Sequence, residues 1–207
     1  MIVVIDYNVG NIKSVRNALD WLGIEDALSA EPAAIERADG IILPGVAAFG
    51  YAMEQLGATA EAVRRAVLAG KPLLGICVGF QLLFDASSEL GEHKGLGLVK
   101  GRVAAIPHRP GLAIPHMGWN AVCWPDGMDL FSGLEPGEHF YFAHSYCADV
   151  ADPAARTALT DYGGAVTAAV CKGNIYGVQF HPEKSGEAGM QLLRNFARLC
   201  MIEADRC

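Results

Sequence analysis

Cys77 stands in Gly75-Ile76-Cys77-Val78-Gly79, a thiol with glycines two residues before and two after it, at the end of the apolar run Pro72–Cys77. With sulfur in place of oxygen, this is the spacing of a nucleophile elbow. The glycines let a strand bend sharply into a helix and hold the nucleophile out of the sheet. A helix beginning just after Cys77 brings its positive end and free N–H groups to the sulfur and favours the thiolate. Taken alone, the pattern reads equally well as a buried thiol among packing glycines, because cysteine is one of the most buried side chains.

A thiol nucleophile needs a base, and the chain offers six histidines. His181 follows the apolar run Ile175–Phe180 and precedes Pro182-Glu183. Pro182 fixes its own φ and disfavours helix at His181, so the corner is stiff and extended. Glu183 can hold the imidazole tautomer while the ring takes the thiol proton. A His-Pro-Glu corner alone is often a plain turn; paired with a cysteine elbow it reads as a triad. Oxyanion donors are available from Val78 N–H and from Val46 in Pro44-Gly45-Val46-Ala47, a segment that otherwise reads as a strand-ending turn. No histidine cluster has zincin spacing, and Gly95-Leu96-Gly97 lacks the third glycine of a dinucleotide loop. Neither a metal nor a cofactor is expected.

These groups need strands that end near one another. Ile41–Leu43, Pro72–Cys77 and the opening run Met1–Asp6 read as continuous apolar strands, alternating with helices that carry Ile12, Val15, Leu19 and Leu22, and then span Ala60–Ala69. A short helix is predicted over Phe80–Phe84. That alternation predicts a parallel sheet covered on both faces. After Leu96 the texture turns β-rich, with strands at Val99–Ile106, Asn120–Cys123, His139–Phe142, Ala165–Cys171 and Asn174–Phe180, and a hairpin turn at Lys172-Gly173-Asn174. A closing helix, Gly186–Met201, has Ser185 as its expected N-cap.

At 207 residues the chain favours one domain, 1–207. With 52% apolar and 19% charged residues it is globular in composition. Sixteen basic against 23 acidic residues leave a formal charge of −7. With no basic run longer than Arg64-Arg65, nucleic acid and anionic membrane are excluded as partners. The apolar runs are too short for the roughly 20 residues of a membrane span, and the opening residues lack a basic leader, so a cytoplasmic location is expected. The six cysteines contain no C-x-x-C pair and are expected to be free thiols.

Gly75–Gly79, Phe180-His181-Pro182-Glu183-Lys184-Ser185 and Pro44-Gly45 together resemble the class I, triad-type glutamine amidotransferase family. The resemblance implies an α/β, flavodoxin-like three-layer fold with a mostly parallel central sheet and a β-rich C-terminal half. It also implies glutamine as substrate, with Cys77 as nucleophile, His181 as base and acid, and Glu183 as the orienting carboxylate. Asp6-Tyr7-Asn8-Val9-Gly10-Asn11-Ile12, Pro44–Gly50, Gln81-Leu82-Leu83-Phe84, Pro115-His116-Met117-Gly118-Trp119-Asn120 and Tyr141-Phe142-Ala143-His144-Ser145-Tyr146 are similar to one branch, the glutaminase subunits of imidazole glycerol phosphate synthases. In that branch the partner is a (β/α)₈-barrel cyclase subunit that uses the ammonia in histidine biosynthesis, forming a heterodimer. By resemblance, Gln81 and Glu89 hold the ends of glutamine with backbone near Ser145 and Tyr146, and Gly45, Val46, Ala47 and Val78 form the oxyanion region. Asn11, the Pro115–Asn120 segment, Tyr141 and Lys184 are implied at the cyclase interface. Ala47 replaces a glycine usual in the family, which leaves a non-catalytic docking subunit as an alternative, beside a glutaminase of pyridoxal phosphate or anthranilate synthesis.

Overall fold

The computed structural model describes residues 1–204, with side chains to residue 201. The first half alternates strand and helix: β1 (Ile2–Ile5), α1 (Ile12–Trp21), β2 (Asp26–Ser29), α2 (Pro32–Arg37), β3 (Gly40–Gly45), α3 (Phe49–Leu56), α4 (Thr59–Leu68), β4 (Leu73–Cys77) and α5 (Val78–Gln81). Short strands follow, β5 (Ala86–Ser87) and β6 (His93–Lys94), then β7 (Gly101–Ala105), β8 (His116–Ala121), β9 (His139–His144) and β10 (Tyr146–Val150). β11 (Arg156–Asp161), β12 (Ala165–Lys172), β13 (Ile175–Val178) and the closing helix α6 (Gly186–Ala204) complete the order.

Seven strands form the central sheet in the order β11-β12-β13-β4-β3-β1-β2. From β13 to β2 the neighbours run parallel, while β11, β12 and β13 are antiparallel. Strands β1, β3, β4 and β13 are buried at every residue, which is why their sequences read as unbroken apolar runs. Helix α1 turns Val15, Ala18 and Leu19 inward, and α6 packs Phe196 and Cys200 under Gly40 of β3. One hydrophobic cluster extends from Ile2 to Cys200. A four-stranded sheet, β10-β7-β5-β6, and the two-stranded ribbon β8-β9 are built from the β-rich half.

The parallel strands deliver their C-terminal ends to one edge, where Gly45 of β3 pairs in register with Cys77 of β4 and β13 leads into Gln179-Phe180-His181. In such sheets this is the edge where sites are built. Pro44 and Gly45 lie inside β3, not beyond it. Helix α5 is a single turn that starts at Val78, nearer the thiol and shorter than the predicted Phe80–Phe84. Ser185 stands at the expected position before α6, and its carbonyl accepts from Gly189 N–H at 3.2 Å, but its hydroxyl donates to His181 O at 2.6 Å and accepts from Tyr141 N–H at 3.0 Å. Five cysteines, Cys77, Cys123, Cys147, Cys171 and Cys200, are free; Cys207 lies outside the described residues. Burial pushes the Cys171 and Cys200 thiols up to about 12, as suits packing residues.

Candidate active site

Cys77 sits at φ 55°, one of three non-glycine residues with positive φ among the described residues, at the junction of β4 and α5. The bend is possible because both flanking glycines are pressed against backbone. A Cβ on Gly75 would fall 2.6 Å from Gly79 O, and one on Gly79 would fall 1.8 Å from Leu43 O of the neighbouring strand. Strain at a non-glycine residue persists only where its surroundings over-determine it, and here they do.

The His181 ring is bonded through Nδ1 to Glu183 Oε1 at 2.9 Å, and it lines the same pocket as Cys77. The side chains of His181 and Glu183 are 3% and 0% exposed. Burial alone would lower the imidazole; its interactions with Cys77 and Glu183 and their charges outweigh this and raise it to about 9. The stability this group contributes is therefore complete below its ordinary value of 6.5 and is lost as the pH rises through about 9. Glu183 Oε1 takes a second donor, Asn11 Nδ2 at 3.0 Å, across 172 residues of sequence. Asn11, expected at a partner surface, thus turns its amide onto the carboxylate.

These groups open into a cavity of about 400 Å³. Its lining includes Val46, Ala47, Cys77, Val78, Gln81 and Glu89, together with Pro115, Met117, His144, Ser145, Tyr146, His181 and Lys184. Gly45 lies beneath, where a Cβ would meet Tyr7 Oη at 2.8 Å and Gly79 N at 2.9 Å. Gln81 donates from Nε2 twice, to Tyr146 O and to Gln179 Oε1, both at 3.0 Å. Glu89 Oε2 accepts from Phe49 N–H at 2.7 Å, which ties it to the start of α3 just past Ala47.

Two contributors were not foreseen from sequence. Gln179 is fully buried and presents its amide to Cys77 Sγ at 3.9 Å. Tyr7 donates to Pro44 O at 2.5 Å; burial raises its phenol, and the charge of Cys77 acts in the same direction. A lone amide at the end of an apolar strand and a tyrosine beside Asp6 were the available signals.

The Pro115–Asn120 segment divides by strand alternation. Met117 and Trp119 are 63% and 55% exposed, whereas His116 is 2% exposed and stacks between Phe142 and Tyr162, at ring distances of 4.5 and 3.8 Å. The expectation of all six residues at a partner surface is corrected for His116, because successive β8 side chains leave opposite faces. Asn120 bonds Asp161 O at 2.9 Å. Gly118, at φ 129°, stands between the exposed pair. Tyr141, opposite Trp119 in register, carries Lys184 Nζ 5.8 Å from its ring centre. Among the described residues no group of three or more His, Cys, Asp or Glu is arranged for a metal ion, and no helix is long and apolar enough to cross a membrane.

Residues 3–200 match the family model of glutamine amidotransferase class-I. The chain belongs to the class-I glutamine amidotransferase family. Among its relatives in this family is the imidazole glycerol phosphate synthase subunit HisH of Symbiobacterium thermophilum, 48% identical over 200 residues that cover 96% of this chain and 93% of that one. The protein of the same name from Methanothermobacter thermautotrophicus is 45% identical over 199 residues, covering 96% and 98%. Solved structures share the amidotransferase fold. A glutamine amidotransferase has a TM-score of 0.75 at 21% identity, covering 97% of this chain and 100% of that one. PurLQS from Thermotoga maritima has 0.73 at 23%, covering 96% and 97%. The expected α/β class, with its mostly parallel central sheet, is the fold of this amidotransferase.

Proposed function

We propose that this protein is the glutaminase subunit of an imidazole glycerol phosphate synthase, in a single domain spanning the chain, with Cys77, His181 and Glu183 as its triad. The observation that carries the reading is a strained, glycine-flanked thiol that shares a pocket with a histidine held by a buried carboxylate. The near full-length identity to proteins named as subunits of that synthase supports the choice of pathway.

The Cys77 thiolate attacks the side-chain amide carbon of glutamine, and the resulting oxyanion is met by Val78 N–H at the open start of α5. On collapse the C–N bond breaks, His181 gives its proton to the leaving nitrogen, and ammonia departs from a γ-glutamyl thioester. Water, deprotonated by His181, then attacks the thioester; glutamate leaves and the thiolate returns. A ring raised to about 9 is well suited to carry the thiol proton until the leaving nitrogen takes it. Both protons of Gln81 Nε2 are committed to protein acceptors, so Gln81 offers substrate only its carbonyl. With Glu89, it therefore forms an acceptor pair for the α-ammonium, and backbone at Ser145 and Tyr146 takes the carboxylate.

Ala47 is not among the residues with positive φ. If a second oxyanion donor at Val46 requires Ala47 to turn to positive φ, that turn costs on the order of 1–2 kcal/mol. Docking of the cyclase on the exposed Met117, Trp119 and Val46 supplies it. The reading predicts that glutamate release from glutamine is slow for the chain alone and rises when the barrel cyclase and its nucleotide substrate are both present. No release under those conditions, or activation only by the synthase of another pathway, overturns it.

Asn11 positions the triad carboxylate. Asn11→Asp would set a second carboxylate against Glu183 Oε1, and like charges at this distance favour protonation of one. His181 then loses part of the charge that raises it. The basic limb of the kcat/KM profile, expected near 9 in the wild type, should move to lower pH, with kcat reduced roughly tenfold. A basic limb that stays in place would remove Asn11 from this role.

A further inference from the structure

His116 and His144 face each other across the β8-β9 ribbon, directly in register, on the side opposite Met117 and Trp119. Both are buried, His144 also lines the pocket, and neither is given a part in the chemistry above. His144 Nδ1 is 2.8 Å from Tyr146 O, and a carbonyl only accepts, so Nδ1 carries the proton. A neutral His144 then presents a bare Nε2 to His116 Nδ1 at 2.9 Å, which makes that nitrogen the donor. His116 Nε2 is left as an acceptor and faces Asn120 Nδ2 at 3.4 Å. The orientation of the Asn120 amide is independently set: its oxygen accepts from Ala121 N–H and its nitrogen donates to Asp161 O, both at 2.9 Å.

Every donor in this series meets an acceptor, in one direction, from Asn120 through His116 and His144 to Tyr146 O. Reversing either ring sets donor against donor or lone pair against lone pair. Burial supports the neutral state, lowering both rings to about 4; for His144 the bond to Tyr146 opposes this, and the charges of His116 and His181 reinforce it. Tyr146 O is also the acceptor for Gln81 Nε2, so one carbonyl gathers the ribbon and the pocket.

We propose that the His116–His144 pair, with both rings held in the Nδ1–H tautomer, positions the Ser145–Tyr146 wall and Gln81 for glutamine and ties them to the partner-facing ribbon. The proposal rests on the glutaminase reading. His144 and His116 are positioning residues: they act through the Tyr146 carbonyl.

The test uses the full chain in complex with the cyclase. In the wild type, ¹⁵N-detected imidazole spectra should show two neutral histidines protonated at Nδ1, the less populated tautomer of free histidine in water. His144→Ala should raise the KM for glutamine roughly tenfold, with kcat held within about threefold. His144→Asn, which keeps a donor for the Tyr146 carbonyl, should bring KM back to within about threefold of wild type. An Nε2–H tautomer at either ring, or an unchanged KM in His144→Ala, overturns the proposal. Rescue failing in a folded His144→Asn does so too. If His144→Ala does not fold, the wild-type tautomers and His144→Asn still decide. Failure of the glutaminase reading has a different signature: the wild-type complex releases no glutamate, whatever its tautomers.

Discussion

Cys77→Ser is expected to abolish glutamine-dependent turnover, by roughly 10³-fold or more, while the complex with the cyclase continues to work on added ammonium. Serine fits the space and accepts the φ of 55° as well as cysteine does, so the elbow, the pocket and the surface around it stay in place. What changes is the nucleophile. A hydroxyl is far weaker than a thiolate, and a base tuned to work with sulfur does not compensate. Stability should remain within about 1 kcal/mol of wild type, since the exchange touches a single atom. The contrast between the two nitrogen sources makes the experiment specific: a misfolded subunit would fail to support the complex, whereas a chemically silent one supports it and supplies no ammonia. Persistent use of glutamine by this variant would rule out Cys77 as the nucleophile.

The second large effect falls on a residue with no side chain. Gly79→Ala would place a methyl group 1.8 Å from the Leu43 carbonyl oxygen of β3. The obstacle is backbone in a fully buried strand, with no flexible side chain to give way. Either β3 or the turn of α5 must move, and both carry the site: β3 ends at Gly45, and α5 begins beside Cys77. Overpacking of this kind costs on the order of 3 kcal/mol or more. With a urea dependence of about 2 kcal/mol per molar, the unfolding midpoint should fall by roughly 1.5 M. Glutaminase activity should be lost even below the unfolding transition, because the relief of the clash displaces the nucleophile. A midpoint within experimental error of wild type would mean that the elbow is far more compliant than its contacts indicate.

The parts of this site legible in the sequence are those written in local spacing. The glycines around Cys77 and the His-Pro-Glu corner each depend on neighbours within a few residues, and the apolar strands that carry them are recognisable because both sheet faces are covered. The edge strands were not foreseen. β2, with sequence Asp26-Ala27-Leu28-Ser29, is only half buried, and β11 has polar residues on its outer face, so neither makes an apolar run. Contacts between distant segments were equally hidden. Asn11 reaches Glu183 across the fold, and nothing near either residue announces the other. Ser185 has the local signature of a helix cap, yet tertiary bonds to Tyr141 and His181 claim its hydroxyl. For Pro115–Asn120 the sequence held the answer in its alternation. A resemblance assigned the whole segment to one surface, and a two-residue period divides it between two.

The bonds of Ser185 are joined by a third, from His181 N–H to Tyr141 O at 2.9 Å. They attach the backbone of the base to β9 at Tyr141, the residue whose ring meets the exposed Trp119. Binding at the ribbon and binding in the pocket are then two loads on one beam. Thermodynamic linkage makes such loads reciprocal: whatever factor a docked partner adds to the affinity for glutamine, bound glutamine must add to the affinity for the partner. Where docking tightens the hold on glutamine, a filled pocket binds the partner more tightly than an empty one by that same factor.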